Sequence, residues 1–208
     1  MFLVTGDEPA VVARVLRELE AAGAEAEQGR AGDDADLFHH ARETRARAVI
    51  AVERLPRHGS DAVATEGDDG PLERGLRAAG GPHGTRLVWV TGRGEDDPSI
   101  ARIRRSGAPY VVLRVAPLVR LEPYDAASRL DGGSPVRVPR DLPVPEHGVA
   151  AEPWVAREAA AAALSDEGIG RVMQIGAFGD DAWRQLVSQL GARGEVVGSW
   201  HARAAGWL

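Results

Sequence analysis

The sequence predicts an α/β domain in which a doubly wound, mostly parallel sheet carries helices on both faces. Three observations lead there. Short β-type apolar runs (MFLVT, AVIAV, RLVWVT, YVVLRV) recur along the first 116 residues. Between them lie segments whose apolar residues return at three- and four-residue spacing, the mark of a helix with one buried face. Strands alternating with helices in this way imply right-handed crossovers and parallel pairing.

Each element has a local reason. Met1 to Thr5 is an apolar strand closed by Gly6, and Val11, Val12, Val15, Leu16 and Leu19 then mark a helix. Asp7 and Glu8 suit its positive end, Pro9 its first turn and Gly23 its stop. Glu25 to Gln28 is a short strand, and Asp33 to Arg45 a helix with Leu37, Phe38 and Ala41 on one side. Ala48 to Val52 is a buried strand, Gly59 to Asp69 a polar loop, and Leu72 to Ala79 a helix before the Gly80-Gly81-Pro82 break. Arg86 to Thr91 is a strand, Ser99 to Ser106 a helix ended by Gly107, and Tyr110 to Val115 a strand. Beyond Ala116, seven prolines from Pro117 to Pro153 interrupt the chain, leaving one strand-like piece at Val136 to Val138. Trp154 to Leu164 is an Ala-rich helix, Arg171 to Ile175 a strand and Asp180 to Leu190 a helix followed by Gly191. One domain of 208 residues is expected: a core over 1–116, a Pro-rich stretch over 117–153 and a closing part over 154–208.

Composition excludes several chemistries. With 44% hydrophobic and 27% charged residues the chain has material for a sizeable core. No apolar run approaches the ~18 residues of a membrane span. MFLVTGDEPA lacks a basic region before its apolar run, so a secretory signal is not expected, and a cytoplasmic location is. The net charge of −6 argues against a nucleic-acid surface. There is no cysteine, which removes disulfides, thiol nucleophiles and thiolate metal sites. All 25 basic residues are arginine. Schiff-base chemistry, a phosphate-loop lysine and a Tyr/Lys catalytic pair are therefore impossible within this chain.

Five segments in order carry a family resemblance: LVTG at Leu3–Gly6; AEAEQGRAGDDADLFHHA at Ala24–Ala41, then AVIAV; LVWVTG at Leu87–Gly92; RRSGAPYVVLRVAPLV at Arg104–Val119; and WVAREAAAAAL at Trp154–Leu164, then RVMQIG. Together they resemble the extended or atypical short-chain dehydrogenase/reductases, of the NAD-dependent epimerase/dehydratase and NmrA-like kinds. The resemblance implies a Rossmann-like doubly wound fold with a shortened C-terminal region. It also implies a dinucleotide crevice at the carboxyl ends of the strands, with Thr5, Gly6, Asp33 and Thr91 as the vestigial cofactor-binding positions.

The sequence departs from that family in three ways. The Gly-x-x-Gly-x-x-Gly turn reads Gly6, Pro9, Val12, so a proline removes an N–H and a valine adds bulk where pyrophosphate should approach. Asp7 and Glu8 stand beside it, and like charges ~5 Å apart repel by roughly 3 kcal/mol at an effective dielectric near 20. Ala24–Asp34 holds one strand where the family has two, leaving the ribose-selecting residue without a clear equivalent; Asp33 or Asp34 matches the family's adenine-side Asp. The segment in the place of the family's catalytic helix contains neither tyrosine nor lysine, and Tyr110 and Tyr124 fall elsewhere. No NAD(P) cofactor is expected, or one held weakly.

The remaining chemistry-bearing residues read as structural. Adjacent His39 and His40 point about 100° apart on a helix and do not share a metal easily. His58, His83, His147 and His201 lie in loops or the tail, so no metal site is expected. Arg93 reads as part of a solvated loop and Arg114 as a structural cation paired near the crevice. Three of five tryptophans fall in the last 26 residues: Trp183 with Leu186 suits the core, while Trp200 and Trp207 suit a tail that folds back or docks on another subunit. Three readings follow, in this order: a degenerate relative that binds a small molecule or protein partner in a regulatory or assembly role; a non-redox isomerase, cyclase or dehydratase; and a working reductase or epimerase.

Overall fold

β1 (Phe2–Gly6) runs through the middle of the molecule because its first four side chains are apolar or small enough to be buried from both sides. A computed structural model of the chain describes residues 1–29, 34–57, 70–79, 84–94, 96–119, 122–123, 148, 150–176 and 195–196. The elements follow as α1 (Pro9–Ala21), β2 (Ala26–Gln28), α2 (Asp34–Glu43), β3 (Ala48–Val52), α3 (Gly70–Ala79), β4 (Arg86–Thr91), α4 (Pro98–Ser106) and β5 (Tyr110–Val115). After them come β6 (Leu118–Val119), β7 (Glu122–Pro123), β8 (Ala150–Ala151), α5 (Glu152–Leu164), β9 (Arg171–Ile175) and β10 (Glu195–Val196). Six strands form one all-parallel sheet in the order β2-β1-β3-β4-β5-β9.

The period-2 alternation of strand side chains divides the core into two layers. Phe2, Val4, Ile50, Val52, Val88, Val90 and Leu113 point toward α1 and α5, with which they form one buried cluster. Leu3, Val49, Ala51, Leu87, Trp89 and Val112 point the other way, toward α2, α3 and α4. α1 presents Val11, Val12, Val15 and Leu19 to the first layer, and α5 meets it with Ala156, Ala159, Ala160 and Ala163. The small residues let the two helices pack side by side. Burying a Val or Leu side chain contributes roughly 1.5–3 kcal/mol, so these layers supply the main favourable term.

The crossovers qualify the right-handed expectation. The connection through α1 moves one way along the sheet on one face, and those through α2, α3 and α4 move the other way on the opposite face, so all four share one hand. The connection from β5 to β9 moves in the same direction as the last three. Its helix α5 lies on the α1 face, which gives this crossover the opposite hand. The physical reason lies in α5 itself, whose alanine face fits the valines of α1.

Strands β3, β4, β5 and β9 have the bounds their apolar runs predict. Phe38 is half-buried, edge-on to His39 with the Arg42 guanidinium carbon 5.5 Å from its ring centre, and is not in the core with Leu37 and Ala41. The prolines after Ala116 conceal three two-residue strands: β6 pairs with β8 in parallel, and β7 pairs with β10 antiparallel. The loop at Gly59 to Asp69, the strand at Val136 to Val138 and the helix at Asp180 to Leu190 lie outside the described residues. So do Asp33, His58, His83, Tyr124, His147, Trp183, Leu186, Trp200, His201 and Trp207. Among the described residues no helix is long and apolar enough to cross a membrane.

Candidate functional site

Strand order reverses between β1 and β3, since β1 feeds β2 on one side and the chain returns to build β3 on the other. In a parallel sheet this places the ligand crevice outside the carboxyl ends of those strands. Gly6 ends β1 there with φ +152°, and a Cβ on it would stand 2.0 Å from the Val52 carbonyl oxygen. Only glycine fits that contact. Thr5, one residue earlier, is fully buried on the α2–α4 side, and its Oγ1 has no hydrogen-bond partner among the described residues.

The turn into α1 is closed by ion pairs. Pro9 opens the helix, where its missing N–H costs nothing to the helix itself. Val12 is fully buried in the core. Glu8 pairs with Arg57, whose Nη1 also donates to Glu152 Oε1 at 3.3 Å, and Arg14 Nε lies 3.8 Å from Glu152 Oε2. Asp7 Oδ1 accepts from Arg74 Nη2 at 3.5 Å. The two carboxylates expected to repel an anion thus each carry an arginine, which corrects the argument from bare charge. A phosphate here would have to compete with Glu8 for Arg57.

The second half of the crevice is a polar row fixed by strand register. Thr91 lies opposite Arg114, and Arg114 opposite Gln174. Glu53 follows the Val52–Val90 pair and donates its N–H to the Val90 carbonyl at 3.0 Å. Glu53, Thr91, Arg114 and Gln174 therefore stand side by side along one edge of the sheet. Thr91 Oγ1 donates to Glu53 Oε2 at 2.7 Å and Arg93 Nε to the same oxygen at 3.0 Å. Arg93 Nη1 reaches Ser99 Oγ at 3.4 Å and lies 3.7 Å from Asp97 Oδ2, and its guanidinium carbon sits 5.9 Å from the centre of the Trp89 ring. Burial pushes the Glu53 carboxyl above its ordinary range, more than the Thr91 hydroxyl and the Arg93 charge pull it down. At Asp97 burial also pushes upward. The hydrogen bonds from Ser99 and the charge of Arg93 outweigh it and hold the carboxyl below its ordinary range.

The loop after β3 crosses this edge. Pro56 packs against Gly92 so closely that a Cβ there would meet Pro56 Cδ at 2.2 Å, and the Pro56 carbonyl accepts from Leu118 N at 2.7 Å. Arg93 is thus a largely buried partner of Glu53, because the loop and α4 enclose it; the solvated-loop reading is corrected. Arg114 is half-buried and donates from Nε to the Arg93 carbonyl at 3.3 Å. Thr5 and Thr91 share a face but stand two strands apart, with Ala51 opposite Thr5 and Trp89 opposite Ala51. Glu53 and Arg57 escaped the sequence reading, although Glu53's place directly after AVIAV was a signal for a strand-end residue.

Beyond β2 a cavity of about 590 Å³ is lined by residues of β2 and α2, among them Glu27, Leu37, His39, His40 and Glu43. His40 Nε2 lies 2.8 Å from Glu27 Oε2. Among the described residues no three His, Asp or Glu side chains are grouped to hold a metal ion.

No protein-family model and no curated protein matches the chain. Solved structures do. The chain is similar to a UDP-glucose 4-epimerase from Thermus thermophilus, solved in complex with NAD, at 17% identity and a TM-score of 0.50, over 100% of this chain and 94% of that one. It is similar to Pal from Bacillus thuringiensis at 13% identity and a TM-score of 0.50, over 91% and 83% of the two chains. A leucoanthocyanidin reductase from Vitis vinifera, solved with NADPH, aligns at 10% identity and a TM-score of 0.48, over 93% and 74%. At these identities the likeness is one of fold, and the fold is Rossmann-like.

Proposed function

We propose that this chain uses its carboxyl-edge crevice to bind a small molecule or a protein partner in a regulatory or assembly role, without NAD(P)-dependent hydride transfer. The observation that carries this reading is the Glu53–Thr91–Arg93 network. It occupies the strand ends with groups bonded to one another, where the hydride chemistry of the resembled family uses a tyrosine with its pKa lowered by a lysine. The turn at Gly6, Pro9 and Val12, with Glu8 already paired to Arg57, is a poor match to a pyrophosphate. Two of the similar structures are described with NAD or NADPH, so a dinucleotide is the natural first ligand to test. Calorimetric titration of the purified chain with NAD and NADPH is expected to give no micromolar binding. Micromolar binding, or substrate-dependent oxidation of NADPH by the pure protein, would overturn the reading.

One observation favours a second reading, a non-redox enzyme such as an isomerase, cyclase or dehydratase. Glu53 is buried with its pKa raised, the state in which a carboxyl serves as a general acid or base near neutrality. In that case turnover of a screened substrate would be lost in Glu53→Gln, along with the corresponding limb of the pH–rate profile.

A further inference from the structure

At the opposite end of the sheet, Arg45, Ala46, Arg47, Gly84, Arg86 and Asp166 line a cavity of about 450 Å³. Its walls are fixed by backbone pairing. Arg47 N–H donates to the Met1 carbonyl and Arg86 N–H to the Arg47 carbonyl, both at 3.0 Å, and Thr85 Oγ1 donates to the Ala46 carbonyl at 2.9 Å. These bonds hold three arginines beside one another at the amino ends of β3 and β4.

Arg86 is a built-in group. Its side chain is only 10% exposed. Its Nη1 donates to the carbonyls of Ala162, Ala163 and Ser165 at 2.9, 3.0 and 2.5 Å, and its Nη2 pairs with Asp166. Arg86 thereby closes the carboxyl end of α5. Its Nε is buried and has no hydrogen-bond partner among the described residues. Arg45 and Arg47 are exposed, the latter with its guanidinium carbon 5.7 Å from the centre of the Phe2 ring.

The charges do not cancel. Three guanidiniums face one carboxylate, and the carboxyl ends of α2 and α5 each add about half a negative charge. About one positive charge is left over at the mouth of the cavity, carried by the exposed Arg45 and Arg47. A phosphoryl group suits that balance, because its oxygens accept from several guanidinium N–H groups at once. We propose that this cavity is a binding site for a phosphoryl anion, either inorganic phosphate or a phosphate monoester, held by Arg45 and Arg47 against Arg86. The site is separate from the carboxyl-edge crevice and does not depend on what that crevice binds.

The test is calorimetric and thermal-shift titration of the full chain with inorganic phosphate and with glycerol 3-phosphate, at constant ionic strength against chloride. Saturable binding and a raised Tm are expected, at least tenfold weaker in the double variant Arg45→Ala/Arg47→Ala and unchanged in Arg57→Ala, which alters the crevice. Asp166→Asn removes the one carboxylate that lines the cavity among the described residues and should tighten binding. A lower Kd for the monoester would identify a phosphorylated metabolite, and an equal or higher one free phosphate; either supports the site. Absence of saturable binding, or binding equal in Arg45→Ala/Arg47→Ala and the parent, overturns it. Loss in Arg57→Ala with retention in the double variant would move the anion to the crevice and overturn it as well.

Discussion

Glu53 and Arg93 meet along one edge of the guanidinium: Nε donates to Oε2 at 3.0 Å, and Nη2 lies 3.0 Å from Oε1. The side chains are 7% and 14% exposed, so the pair is shielded from water. Removing one partner of such a pair strands the other charge. Arg93→Met is expected to cost about 3 kcal/mol at neutral pH, read from urea unfolding. A cost within ~0.5 kcal/mol of zero would mean that Glu53 is solvated or neutral without Arg93.

The pH dependence of that pair has a definite sign. The folded-state pKa of Glu53 is raised, so its protonated form is favoured by folding. The stability linked to its proton is fully present below the ordinary glutamate value and is lost as pH rises through the folded value. Glu53→Gln should flatten this decline above the ordinary glutamate value, and Arg93→Met should extend it to higher pH. A Glu53→Gln profile parallel to the parent's across that range would sink the assignment.

Asp97 behaves in the opposite sense. Its Oδ1 accepts from Ser99 N–H at 2.8 Å and caps α4. Its lowered pKa means stability that is present above the ordinary aspartate value and lost on acidification. Asp97→Ala should cost about 1 kcal/mol at neutral pH, while Asp97→Asn keeps most of the cap and loses the acid-side slope.

Gly6 and Gly92 are close-approach positions. Alanine at Gly6 would drive a Cβ to 2.0 Å from the Val52 carbonyl oxygen at φ +152°. A cost of at least about 2 kcal/mol follows from the overlap and the strained backbone. Gly92→Ala meets a proline ring at 2.2 Å, and its damage should be confined to the loop after β3. Hydrogen exchange would then show faster exchange at Leu118 N–H, which bonds to Pro56, and unchanged protection in β1.

The C-terminal segment offers a simple cut. β10 pairs Glu195 with Pro123 and Val196 with Glu122. Ending the chain at Arg193 removes that pairing and should lower Tm with no change in oligomeric mass. A change of mass would instead show Trp200 and Trp207 serving a subunit contact. An unchanged Tm and mass would show that the segment contributes nothing to either.

The sequence by itself determined the strands of the sheet and most of the helices. β3 and β4 are apolar runs buried along their whole length and β5 is nearly so, as strands flanked on both faces are, and α1 carries its valines at the spacing of one helical face. The composition also removed lysine chemistry outright. Tertiary structure alone decided the site. Glu53, Thr91, Arg114 and Gln174 lie up to 121 positions apart in the chain, and only the register of β3, β4, β5 and β9 sets them in a row. The pairing of Asp7 with Arg74 and Glu8 with Arg57 corrected an argument from local charge, because a cation brought in by a distant segment leaves no local trace. The hand of the last crossover was likewise settled by which face of the sheet could receive the alanines of α5. Local patterns report which groups leave water; which groups then meet is set by contacts between distant segments.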